Sequence, residues 1–210
     1  MPRTGERGGP ETRRRIAGIA SGLFLQRGFD AVTVAEVAKA AGVSSVTVFN
    51  HFPRKEDLFL DRSWDAVDLL RAAVRERGDG VDVLESLRTM TLKLVDTGHA
   101  LAGVDVRSVP FFRTVADSPA LVARAREIVA ELQQLLADEL AADPRFRGDA
   151  PLFAAFFVAG YASVLVDAAR RMIGGEAPAD LVGAQRTRFE RLFESLRSGV
   201  AAPEDPLTVE

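Results

Sequence analysis

Few residues in this 210-residue chain are equipped for bond-making chemistry. There is no Cys, which removes disulfides, thiolate metal sites and a Cys nucleophile. The two His, His51 and His99, stand far apart in sequence. No glycine-rich phosphate loop, nucleophile elbow or His/carboxylate metal spacing is present, so neither an enzyme nor a cofactor is expected. Contact chemistry is denser, and it concentrates in GVSSVTVFNHFPRKEDL, residues 42–58. Asn50 suits the edge of adenine, and Val46 suits a thymine methyl.

Those residues must sit on an element that presents them. Val46-Thr47-Val48-Phe49 is a run of strand formers. Nothing else in the chain alternates convincingly with period two, so a strand there would lack a partner. A helix over 45–51 sorts the residues better. Val48 and Phe52 then face a core, with Val43 plugging it from the turn. Ser44 or Ser45 caps the start. Ser45, Val46, Thr47, Phe49 and Asn50 remain on the outward side. Upstream, 34–41 reads as a short helix. Thr33 and Glu36 fit a capping box, Ala38 and Ala41 are small enough for a close crossing, and Gly42 fits the turn. Helix, glycine turn, helix is the helix-turn-helix unit.

The rest reads as helical. Ile16, Ile19, Ala20, Leu23 and Phe24 mark a helix over 11–27. A long helix over 54–77 is expected from Leu58, Trp64, Val67 and Leu69 or Leu70. Another spans 82–98, a broken one 99–117, and three more end near 142, 173 and 199. The expected fold is all-α, about nine helices: a three-helix helix-turn-helix domain over 11–53, then a helical domain over 54–200. Disordered tails are expected at 1–10 and 201–210. Residues 1–55 hold nine Lys/Arg against four Asp/Glu, a net of +5, which leaves −8 for the remainder of a chain whose total is −3. A basic end on an acidic body suits a polyanion. No secretory signal is visible at the N-terminus, so a cytoplasmic location is expected.

TVAEVAKAAGVSSVTVFNHFPRKEDL, residues 33–58, resembles the DNA-binding domain of the TetR family of bacterial transcriptional repressors. The resemblance covers about 11–60. It implies phosphate contacts from Thr33, Thr47, Phe49, His51 and Lys55. It implies base contacts from Ser44, Ser45, Val46 and Asn50. Position 49 is most often Tyr in the family. Phe49 lacks the hydroxyl that would donate to phosphate. Arg54 replaces a small capping residue and adds a cation. The family also implies homodimers and a C-terminal bundle that binds a small ligand, here an apolar or aromatic one.

Candidate pocket residues are Trp64, Thr91, His99, Arg107, Phe111, Phe112, Phe156 and Tyr161, set against plain core or surface roles. For Thr91 the bland role is a bond to its own helix carbonyl. Residues 150–166 carry no charge; a dimer face over 151–173 with 179–199 is preferred to a membrane span or a purely internal helix. Arg3, Arg7, Arg13, Arg14 and Arg15 are either solvated or an arm reaching the minor groove or flanking phosphates. The expectation is a ligand-responsive repressor of a palindromic double-stranded operator, with the 54–77 helix as the lever. An activator or a ligand-independent regulator is the alternative. A helical dimer that binds no DNA stands further off.

Overall fold

The computed structural model describes residues 9–105 and 108–199, and every regular element among them is helical. Arg3, Arg7, Arg107 and the expected tail at 201–210 lie outside those residues. The helices are α1 (Pro10–Arg27), α2 (Val34–Ala40), α3 (Ser45–His51), α4 (Ser63–Arg75), α5 (Val83–Asp96), α6 (Ser108–Asp117), α7 (Pro119–Ala142), α8 (Ala150–Ile173) and α9 (Pro178–Gly199). Single 3-10 turns sit at Glu56–Leu58 and Ala100–Ala102.

The chain divides into two units. One comprises residues up to Ser63 together with Pro110–Glu127; the other comprises Trp64–Val109 and Ile128 onward. The first therefore extends past 53 and takes in most of α6 and the first third of α7. No local pattern announces that recruitment.

The first unit closes on Ile16, Ala20 and Phe24 of α1, Val37 of α2, and Val48 and Phe52 at α3. Phe24 packs against Phe29 at 4.9 Å between ring centroids, and Phe59 stacks on Phe111 at 4.9 Å. Leu121 of α7 completes this core.

The expected helix over 54–77 is not continuous. The 3-10 turn at Glu56–Leu58 is followed by irregular backbone until Ser63. Leu58 and Phe59 are both buried in the first unit's core, and Asp61 is held by Arg13. These tertiary contacts override the helical period. Trp64 is 58% exposed, off the stripe made by Leu70, Ala73 and Val74. Six positions before Leu70 places it about 240° round the helix, away from the buried face.

In the second unit α9 packs against both α5 and α8. The core there is Leu84, Leu87, Leu136, Leu140, Phe153, Phe157, Phe193 and Leu196. A Cβ on Gly160 of α8 would come 2.3 Å from Leu192 Cδ1, so the missing side chain lets α9 approach closely. Buried Arg77 bonds the Asp143 carboxylate and the Val74 and Val81 carbonyls. Glu139 accepts from Arg75 at 2.6 and 2.7 Å and from Arg71 at 3.3 Å. Arg75 foremost holds its carboxyl below the usual range, against the opposing effect of burial.

Candidate nucleic-acid interface

α2 starts at a complete capping box. The Thr33 hydroxyl accepts from the Glu36 amide at 3.2 Å, and the Glu36 carboxylate accepts from the Thr33 amide at 2.8 Å. Arg27 adds an ion pair to Glu36 at 2.8 Å. The Glu36 carboxyl is lowered to about 2, chiefly by the Thr33 N–H, then by Arg27 and the Thr33 hydroxyl. α2 ends with Gly42 at φ +65°, and Val43 N–H donates to the Ala38 carbonyl at 3.0 Å. That is a Schellman turn, and it requires the left-handed glycine. Val43 packs against the core beside it, which fixes the direction in which α3 leaves.

α3 is seven residues long and starts at a Ser44 cap, whose Oγ accepts from the Thr47 amide at 3.0 Å. The Ser44 and Thr47 hydroxyls also pair at 2.9 Å. Val48 and Phe52 are buried. Opposite them Val46 is 68% exposed and Phe49 49%, with Asn50 exposed beside them. Val46 lies three positions before Phe49 and four before Asn50, so the three share one outward face. Ser45 and His51 flank it, half-buried.

Lys55 is half-buried, not extended into solvent. Its Nζ donates to the Phe29 carbonyl at 2.7 Å and stands 4.2 Å from the Phe29 ring centroid. Arg54 is paired with Glu127 of α7, and Arg124 holds Asp57 at 2.7 Å. Arg14 and Arg15 are exposed on α1, and Lys39 is exposed on α2. Arg13, expected to be solvated or to reach DNA, instead turns inward and bonds at 2.5 Å to Asp61, a residue the sequence did not single out, beside the end of α3. Arg13 lies three positions before buried Ile16, at the edge of the buried stripe; Asp61 carries no local signal.

Residues 19–61 match the family model described as bacterial regulatory proteins, tetR family. The TcmR regulator of Streptomyces glaucescens is 29% identical over 89% of this chain and 83% of its own length. The transcriptional repressor KstR2 of Rhodococcus jostii is 32% identical over 44% of this chain and 47% of its own length. The chain spans about half the length, or less, of most curated relatives it matches. The crystal structure of Thermus thermophilus FadR, a TetR-family repressor in complex with lauroyl-CoA, aligns over 94% of this chain and all of that one, at 27% identity and TM-score 0.54. Over residues 19–61 this chain is similar to the tetR family of bacterial regulatory proteins. The outward face of α3 lies inside the matched segment.

The candidate pocket residues do not form one group. Phe111 and Phe112 belong to the first unit, where their rings meet edge to face at 5.5 Å. Trp64 and Phe156 are exposed. In the second unit the Tyr161 hydroxyl donates to the Leu101 carbonyl at 2.9 Å, and burial raises its pKa. His99 caps the 3-10 turn at Ala100–Ala102, its Nδ1 accepting from the Leu101 amide at 3.2 Å. Thr91 is fully buried, and its hydroxyl has no partner among the described residues, the helix carbonyls included. Two open clefts of about 400 Å³ lie in the second unit, one between α5 and α9 and the other beside Glu139 and Asp143. Neither touches a candidate pocket residue.

Proposed function

We propose that this chain is a cytoplasmic DNA-binding transcriptional regulator that represses from a near-palindromic operator as a homodimer. The observation that carries the reading is the exposed Val46–Phe49–Asn50 face of a capped helix whose opposite face is buried. α3 enters the major groove. Asn50 pairs with an adenine edge, Val46 meets a thymine methyl, and Phe49 packs along the sugar-phosphate edge beside them. Ser44 and Ser45 lie at the base-facing start of the helix. Thr33, Thr47, His51 and Lys55 lie toward the phosphates, which fix register and not sequence. With one clear bidentate donor per helix, affinity rests heavily on phosphates and falls steeply with salt.

The homodimer is supported by α8. Leu152, Phe156, Ala159, Ser163 and Val166 are all exposed and recur at three- and four-residue intervals, the pattern of a helix seam. Val182 of α9 is exposed as well. α8 is long and apolar enough to cross a membrane, with 33% of its most apolar window buried. A second copy covers the same stripe in a protein that also reads DNA. Ligand response is supported by the unpartnered Thr91 hydroxyl and by the lauroyl-CoA complex of the FadR relative. The ligand class is small and apolar or aromatic.

Fluorescence anisotropy with the duplex upstream of the chain's own gene tests the reading. The expected result is binding at least tenfold tighter than to a shuffled duplex (about 1.4 kcal/mol). Equal binding to both duplexes overturns it.

A further inference from the structure

Arg13 belongs to the basic N-terminal stretch, but its guanidinium turns inward. Nη1 donates to the carbonyl of His51, the last residue of α3. Nη2 donates to Asp61 Oδ1 at 2.5 Å. Cζ lies 4.1 Å from the centroid of the Phe52 ring, the residue that caps α3. The side chain is 23% exposed.

We propose that Arg13 is a positioning residue for sequence reading, one that sets the orientation of α3 and does not itself touch DNA. The inference rests on α3 being the recognition helix. A seven-residue helix is too short to be stable alone, so its direction comes from what holds its ends. Ser44 and the Val43 turn fix the first end. At the other end the last carbonyls have no partners within the helix, and a cation there also complements the helix dipole. Arg13 supplies that cation. Its fork reaches the His51 carbonyl and the Asp61 carboxylate together, tying α1, the end of α3 and the chain beyond it to one point. Asn50 precedes His51 by one residue, so any tilt at this point displaces the side chain that reads adenine. A lysine carries the charge but cannot span both acceptors.

The test compares wild type, Arg13→Lys and Asp61→Asn by anisotropy on the gene's own upstream duplex and on a shuffled duplex, across a salt series, with a thermal melt of each. In Arg13→Lys the ratio of the two affinities is expected to fall on the order of tenfold, the size of one good base contact. Its salt slope on shuffled DNA is expected to stay at the wild-type value. Asp61→Asn is expected to lower the ratio in the same direction and by less, because the His51 bond remains. A slope reduced by about 0.9 with the ratio intact makes Arg13 a phosphate contact and overturns the proposal. Proportional loss on both duplexes with a lowered melting temperature makes it merely structural, which also overturns it. If Arg13→Lys does not fold, Asp61→Asn decides. Tighter binding to both duplexes then signals a freed phosphate-binding cation and sinks the proposal. Discrimination unchanged in the folded variants overturns this inference alone. A wild type that does not discriminate removes the recognition-helix reading, and the inference with it.

Discussion

Phe49 exposes half of its surface on the outward face of α3 without a hydroxyl to donate. Phe49→Tyr restores a donor at the backbone edge. It is expected to tighten binding to all duplexes alike by about 1 kcal/mol, roughly fivefold in Kd. A gain confined to one sequence would place residue 49 on a base. Asn50→Ala is expected to change preference at one base pair per half-site, losing about 1–3 kcal/mol of discrimination there. Lys55 differs from a simple surface cation, because its ammonium holds the Phe29 carbonyl. Lys55→Ala should weaken all sequences alike and also lower the melting temperature. Uniform weakening without the thermal shift would mean that the Phe29 bond contributes nothing to stability. The side chains on α3 were legible because Val48 and Phe52 define a buried face by spacing alone. Arg13 with Asp61, 48 residues apart, was not legible: their meeting is a product of the fold and leaves no local pattern.

At the scale of elements, Thr33-x-x-Glu36 is a bond pattern that sequence spacing dictates, and both bonds form. The Glu36 carboxyl lies near 2 in the folded chain against an ordinary 4.5. A lowered folded value means the stabilisation is complete above pH 4.5 and is lost as pH falls from 4.5 toward 2. Thermal melts of wild type and Glu36→Gln should therefore differ at neutral pH and converge as acid is added. A gap that stays constant down to about 2 would mean the carboxylate charge is irrelevant to the cap. The 54–77 helix failed as an expectation because Leu58, Phe59 and Asp61 answer to partners in the first unit and not to their own helix. On α5, the buried Thr91 hydroxyl is unpaired among the described residues, which costs about 1–3 kcal/mol. Thr91→Val is expected to raise stability by about 1 kcal/mol in the ligand-free protein and to weaken any ligand that uses the hydroxyl. A lower melting temperature in Thr91→Val would show that the hydroxyl has a partner.

At the scale of the whole molecule, the chain passes between its two units at 63–64, 109–110 and 127–128. On the proposed ligand-responsive reading, a ligand bound in the second unit has these three chain connections through which to bias the first. It shifts the reading head only by its differential affinity for the two states. α7 is uninterrupted across 127–128, and its first third carries Arg124 and Glu127, which hold Asp57 and Arg54. Phe156→Glu, at the centre of the exposed α8 stripe, is expected to yield monomers by analytical ultracentrifugation and to abolish cooperative occupation of two half-sites. A dimer that survives this change would place the subunit contact elsewhere. The central claim is that Val46 and Asn50 on the outward face of α3 read base edges. Selection of binding sites from a random duplex pool, run in parallel with wild type and Asn50→Ala, tests it most directly. The expected result is a two-fold symmetric site with half-sites about 34–36 Å apart or a multiple of that turn, and a change of preferred base at one position per half-site in the variant. No enriched sequence, or the same sequence from both proteins, would contradict it.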